Sequence, residues 1–571
     1  MKSDFPESLH GLRCRPWSWQ TTIRGHENVG KKLRFSLVTA SLLCATALHA
    51  GAETLRFSSQ GDITSLDPYT IDETFTSGFL GNIYEGLVRR APDLSIQPAL
   101  AESWEMVEPT RWRFHLRKDV KFHDGSAFTA DDVLYSADRV RAGASDFKNR
   151  LAPDTKVVKV DDYTVDFITT TPNPIIHYQW GNWYMMSKSW AEKNKVGEPQ
   201  KAGAGEEAYT TLHENGTGPF KLDTREPGIK TTLSANADWW ANASRTDNVT
   251  DVVFTPIPNA ATRVAALLSG QMDVIFPVPV QDIDRVEQSE GTHMIVGPEL
   301  RTVYLFLDQF RNELLYSNIK GKNPLKDHRV REALYRGIDI ETIKKKVMRG
   351  MSTPSALMVA PGINGFSEDF KRLEYDPEKA KALLAEAGYP DGFELGLDCP
   401  NDRYVNDEAI CVAVTNMWAK IGVKVKLNAQ TKSKFFEKVF APKLDFSVGL
   451  IGSTPPSFDS LAPINSLHVC PRVSPESAAW QEGEREKVSN GKSNYGGYCN
   501  PEVDKLAGEI LLETDQDKRN ALIKQTWKIT TDDIAYLPLH QQWIAWGVRD
   551  GVELKQRPDD VFDWRYVEIK K

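Results

Sequence analysis

Apolar and polar residues alternate with period two at Trp112, Phe114 and Leu116 against Arg113, His115 and Arg117. That spacing predicts a strand with one buried face. A shorter strand is expected at Thr54–Phe57, before a turn through Asp67-Pro68. After Asp124-Gly125, a tight-turn pair, the period changes. Val133, Leu134, Ala137 and Val140 fall on one helical face, and Thr129 with Asp132 three residues later has the form of a capping box. Val158 and Val160, then Asp161-Asp162, then Val165 and Phe167 predict a β-hairpin. Asn259 caps a further helix carrying Val264, Ala265, Leu267 and Leu268, with Gly270 at its end and a strand at Asp273–Phe276.

The second half repeats the alternation. Asp376-Pro377 opens a helix with Ala380, Leu383, Leu384 and Ala387 on one face, closed by Gly388 and Pro390. Another begins near Asn406-Asp407, carries Ile410, Val414 and Trp418, and ends at Gly422; Val423, Val425 and Leu427 then alternate as a strand. Helices alternating with strands predict an α/β chain with largely buried sheets. Two polar stretches, Glu192–Glu207 and Ser474–Tyr498, read as surface loops.

One apolar run differs from the rest. Lys31, Lys32 and Arg34 precede Phe35–Leu48, and Ala50-Gly51-Ala52 supplies the small residues of a cleavage site. The order is that of a secretory signal over about residues 31–52, so the mature chain is expected to start at Glu53. The run is too short to span about 30 Å of hydrocarbon. Cys44 follows Leu42 and Leu43 rather than small residues, which argues against lipid attachment.

The chain has 571 residues, 40% hydrophobic and 26% charged, with a formal net charge of -8. Its length calls for more than one core, and its acidic balance lacks the basic stripe of a nucleic-acid binder. Cys399, Cys411, Cys470 and Cys499 remain after the signal, an even number suited to an oxidising compartment. Four cysteines allow three connectivities, of which proximity favours Cys399–Cys411 with Cys470–Cys499. Catalytic motifs are missing. The sequence has no GxSxG and no HExxH, and Gly491-Lys492-Ser493 lacks the leading phosphate-loop glycine because Glu486 stands there. His468 and Cys470 have no second pair at zinc spacing. No enzyme activity, cofactor or metal is expected.

Several motifs together resemble one family. Ala101-Glu102-Ser103-Trp104, Phe114-His115-Leu116-Arg117, Val120–Gly125 and Thr129–Val133 come first. Gly216-Thr217-Gly218-Pro219-Phe220, Asn323-Pro324 with Asp327–Leu334, and Tyr375-Asp376-Pro377 through Gly388-Tyr389-Pro390 follow in order. This resembles the bacterial extracellular solute-binding proteins of family 5, the peptide/opine/nickel class. The resemblance implies a two-lobed periplasmic-binding-protein fold of the α/β type, class II-like, of cluster C with an extra subdomain. Lobe I would hold residues 53–300, including the subdomain at about 90–225, and the return segment 539–571. Lobe II would hold 301–538. The chain would cross twice, near Tyr304-Leu305-Phe306 and Leu537-Pro538-Leu539. The implied role is the periplasmic receptor of an ABC importer. It would close on a peptide or peptide-like solute and pass it to the membrane permease. A monomer suits that motion. An opine or glycoside is the alternative cargo, and a chemoreceptor partner, chaperone or secreted hydrolase is a weaker reading. No histidine cluster recommends nickel or haem.

The resemblance also implies site residues. An arginine in the loop Asn401-Asp402-Arg403-Tyr404 would hold a ligand carboxylate, since its planar fork matches that group and the following helix N-terminus favours anions. Trp180, Trp183 and Tyr184 stand where lobe I supplies aromatic cleft walls, although such residues equally fill cores. Peptide binders of this class place an aspartate after the strand that here ends Gly452-Ser453-Thr454. Ser453 or Thr454 replaces it, and Asp459 is displaced along the loop. That departure disfavours a free ammonium and favours a blocked peptide, opine, glycoside or other polyol. Gln541 and Trp543, alternating with His540 and Gln542, complete the expected set.

Overall fold

The computed structural model describes residues 53–200, 208–440, 443–455, 457–471, 491 and 493–570. The expected signal, with Cys44, residues 201–207 of the first expected loop, and residues 474–490 and 492 of the second lie outside them. Among the described residues no helix is long and apolar enough to cross a membrane.

One eleven-stranded sheet runs through the molecule. Its order is Lys424–Gln430, Glu394–Pro400, Val448–Ser453, Thr292–Leu307, Leu537–Arg549, Val274–Phe276, Glu53–Ser59, Val249–Phe254, Lys230–Ala235 and Phe220–Glu226. Ser352–Pro354 adds to Leu537–Arg549 beside this path. The two long strands in the middle pair antiparallel from Thr292↔Arg549 to Leu305↔Leu537, with register shifts between Pro298 and Thr302 and between Val303 and Tyr304. Each long strand carries side chains into two different cores. Leu300, Val303, Leu305, Leu537 and Leu539 belong to a core with Leu397, Val414 and Trp418. Ile544, Trp546 and Val548 belong to another, with Leu55, Phe57 and Phe254. The architecture is α/β and two-lobed, with the two long strands linking the lobes.

A second sheet, Ala101–Glu108, Arg111–Leu116, Thr164–Ile168 and Lys156–Asp161, is antiparallel and falls within the expected extra subdomain. Its apolar residues Trp112, Phe114, Val165 and Phe167 join the first-lobe core, as the alternation requires.

Helix starts follow the local signals. The helix Ala130–Val140 has the Thr129/Asp132 capping box. Asn259 accepts from Thr262 N at 2.9 Å, and Asp376 accepts from Lys379 N at 2.9 Å with Pro377 in the first turn. One expectation needs correction. Glu192–Asn194, expected as loop, ends the helix Lys188–Asn194, because Ser187 supplies an N-cap to Trp190 N and Lys195 terminates it at φ 58. At Asp407–Ala419 the N-cap is Asn406 by position only. It sits at φ 55 without a capping side-chain bond. The buried Asp407 instead turns its carboxylate back onto the N–H groups of Arg403 at 3.0 Å, Tyr404 at 2.9 Å and Glu408 at 3.0 Å.

The disulfides are Cys399–Cys411 and Cys470–Cys499, with Cα separations of 6.5 and 4.3 Å.

Candidate functional site

A cavity of about 280 Å³ lies between the lobes. The first lobe supplies most of its wall. Thr74–Leu80 is a short helix whose Gly78 packs under Val561. The chain then runs through Asn82, Tyr84, Glu85 and Gly86 into the strand Val88–Arg90. Gly181, Asn182 and Tyr184 close one side, and Arg557–Arg565 the other. The second lobe supplies Thr454, Pro455 and Phe458.

The motif Gly216–Phe220 holds that first wall in place. A Cβ at Gly216 would lie 2.0 Å from the Ile83 carbonyl oxygen, so the backbones can meet only at a glycine. Gly218 N then donates to Ile83 O at 2.8 Å, and Thr217 Oγ1 donates to Glu85 at 3.1 Å. Asn82 fastens the returning C-terminal segment. It donates to Phe562 O at 3.1 Å and accepts from Trp564 N at 3.0 Å.

The charges along this wall form a chain. Arg557 binds Asp559 in bidentate fashion at 3.0 and 2.6 Å and reaches Asp563 at 3.4 Å. Arg565 grips Asp563 at 2.8 and 2.5 Å. Burial pushes the Asp563 carboxyl up, but Arg565 and Arg557 together hold it below its usual range. Asp72 pairs with Arg150 at 2.9 Å. Glu85 accepts from Trp240 Nε1 at 2.9 Å, and burial raises its pKa. Arg90, 7% exposed, donates to Tyr178 O at 2.6 Å. Its guanidinium lies 3.7 Å from the centre of the Phe458 ring, so it touches both lobes. Burial pulls its pKa down to about 10.

Phe458 is held from behind. Asp459 forms a bidentate pair with Arg519 at 2.7 and 2.7 Å, both side chains having no exposure. Asp459 also accepts from Asn364 Nδ2 at 2.8 Å and Leu461 N at 2.9 Å. The displaced acid of this loop is therefore committed to the core of the second lobe and turned from the cavity.

The structure separates the residues expected at the site. Tyr184 and Thr454 line the cavity; Tyr184 donates to Ser77 O at 2.8 Å. Trp180 and Trp183 are fully buried and pack on Phe167 in the subdomain core. Gly452, Ser453 and Tyr404 meet at the end of Val448–Ser453, where Tyr404 Oη lies 3.4 Å from Gly452 O and a Cβ at Gly452 would strike Tyr404 at 2.8 Å. Arg403 is exposed, outside the cavity wall, with its guanidinium 5.2 Å from the Tyr404 ring centre. Asn401 is exposed on the same loop. Gln541 donates to Ser355 Oγ at 2.6 Å and Trp543 to Thr353 Oγ1 at 2.8 Å, so they tie the strand Ser352–Pro354 and the residue after it to the long strand.

Arg89, Arg90 and the segment 557–565 were not singled out by the sequence. Only folding reveals Asp559 inside a charge chain. Among the described residues no group of three or more His, Cys, Asp or Glu side chains could hold a metal ion.

Known proteins share this frame. A 29% identical relative, the dipeptide-binding protein of Escherichia coli, covers 91% of this chain and 95% of its own length. Heme-binding protein A of Haemophilus influenzae is 29% identical over 80% of this chain and 81% of its own. The structure of the periplasmic binding protein DppA from Helicobacter pylori in complex with peptide STSA superposes with a TM-score of 0.69 at 23% identity, covering 91% and 98% of the two chains. The profile of the bacterial extracellular solute-binding proteins, family 5, middle region, matches residues 95–467, and the chain belongs to that family.

Proposed function

We propose that this protein is the exported receptor of an ABC importer, taking up a small peptide-like solute in the cavity between its lobes and delivering it to a membrane permease. The observation that carries this reading is a cavity walled by residues of both lobes, with Arg90 of one lobe stacked on Phe458 of the other. Opening the lobes about the two long strands separates that pair and exposes the cavity; closing them buries the solute. The volume of about 280 Å³ lies near the lower end of the roughly 300–1,000 Å³ of ligand pockets, which suits a solute of about dipeptide size. The named cargo of the dipeptide-binding relative and the peptide bound to the Helicobacter protein support the peptide-like class.

Within that class the observations favour a solute without a free amine. Ser453 and Thr454 offer hydroxyls where peptide binders of this class place an acid, and Asp459 is occupied by Arg519. A buried ammonium would have no carboxylate to meet on this side.

The test is calorimetric titration of the mature chain with short peptides, N-blocked peptides, opines and glycosides, with X-ray scattering on the same samples. Saturable binding accompanied by a fall in radius of gyration is expected. Binding without contraction would reject closure about the long strands.

A further inference from the structure

We infer that Arg90 and Phe458 form a septum that sets the length of the solute, closing behind a chain of about dipeptide size and excluding longer ones. This rests on the cavity being the solute site and goes further, naming a length limit and the two residues that impose it.

The cavity of about 280 Å³ has a neighbour of about 560 Å³, twice its volume. Among the described residues Arg90 and Phe458 alone line both. The second cavity is also built from both sides, with Asp93, Leu94 and Tyr178 facing Gly362, Asn364 and Asn520. Where the cavities meet, the Arg90 guanidinium lies 3.7 Å from the centre of the Phe458 ring and approaches the Ser457 carbonyl at 3.5 Å. Two side chains that touch each other and face both cavities are a partition at that point.

Each half of the partition is fixed from its own side. The Arg90 carbonyl accepts from Arg557 at 3.1 Å, and its guanidinium donates to Tyr178 O at 2.6 Å. A Cβ at position 181 would lie 2.7 Å from Arg90 Nε, so Gly181 leaves the side chain its room. Phe458 stands at φ 53, and its carbonyl accepts from Asn364 N at 3.0 Å. The unexposed Arg519–Asp459 pair holds the next residue. Neither half is a loose surface side chain, so a solute running from one cavity into the other must part them.

The second cavity suits more of the same solute rather than a separate ion. Asp93 is occupied by Ser95 Oγ at 2.6 Å, and Lys524 by Asp369 at 2.5 Å. Apart from Arg90, its wall therefore offers amides and hydroxyls rather than an unpaired charge. A solute confined to the first cavity lets the pair close and keeps the cation–π contact. A longer one holds the pair apart and loses that contact.

The experiment titrates the mature chain with two neutral, amine-blocked probes, N-acetyl-dialanine amide and N-acetyl-tetraalanine amide. The shorter is expected to bind at least about tenfold more tightly, the longer paying for the broken contact and for crowding at the septum. Phe458→Ala and Arg90→Ala remove the septum from opposite sides, so a folding defect in one leaves the other to decide. Each is expected to weaken the shorter probe and bring the two within about threefold of one another. Phe458→Leu keeps most of the bulk and should keep the preference for the shorter probe. A wild-type chain that binds both probes alike, or alanine variants that keep the wild-type ratio, would overturn the septum while leaving solute capture intact. Binding of neither probe by the wild type would overturn the peptide-like reading and the inference with it.

Discussion

The wall built from residues 72–184 and 557–565 carries nine charged side chains, whereas the wall built from residues 454–458 carries none. The two differ in support as well. On the first lobe the charges brace one another through the Arg557–Asp559 and Arg565–Asp563 pairs, so the wall is organised before a solute arrives. On the second lobe a short neutral loop is set from behind by the unexposed Arg519–Asp459 pair. Such a division lets one lobe read charge while the other supplies a lid.

The largest expected effect comes from removing the support of the neutral loop. Asp459→Ala leaves Arg519 buried and unpaired, and should cost about 3–5 kcal/mol in urea denaturation. A loss under about 1 kcal/mol would show that the pair does not set the loop.

Acid should act next, through two buried histidines. His468 and His540 are fully buried, and neither ring nitrogen of either has a partner. Burial lowers each pKa to about 3, with Arg372 adding to the effect at His540. The unfolded chain protonates these rings near 6.5 while the folded one does not. Their stability contribution is therefore complete above pH 6.5 and is lost as pH falls from there toward 3. The slope approaches roughly 1 kcal/mol per pH unit for each ring. His468→Phe should flatten the melting temperature between pH 6.5 and 4.5; an unchanged slope would mean the ring finds a proton acceptor.

Phe458→Ala tests the lid alone. Losing the ring over Arg90 should weaken binding of a short solute by about 0.5–2 kcal/mol while relaxing the preference for short over long. A preserved preference would mean that the ring does not bound the cavity. The smallest effect is expected at Arg403→Ala. That side chain is exposed beyond the wall, and Asp407 already occupies the amides of its loop. Affinity for the solute should change by less than about twofold, in keeping with an exposed charge. A loss of tenfold or more would return charge recognition to the second lobe.

What the sequence made legible was local or carried by motifs. Thr129 with Asp132, Asn259 and Asp376 act within three residues of themselves, and each cap stands where its spacing put it. The Gly216–Phe220 motif marked a contact that the structure explains as backbone meeting backbone. Tyr184 and Thr454 were within reach of the family pattern. The rest was hidden by distance along the chain. Arg557 donates to the Arg90 carbonyl at 3.1 Å across 467 residues, and no local spacing signals such a pair. Trp180 and Trp183 differ from Tyr184 only in which side of their turn faces the core. Nor does spacing reveal that the Asp407 carboxylate turns back onto the amides of Arg403 and Tyr404 in the loop before its helix.

The central claim is that this chain captures a small peptide-like solute without a free amine, and the most direct measurement is mass spectrometry of what the natively purified mature protein releases on denaturation, in both ion polarities and after an amine-specific label. The account predicts a small solute that the label leaves unmodified. A released set of short peptides that take up the label would contradict it.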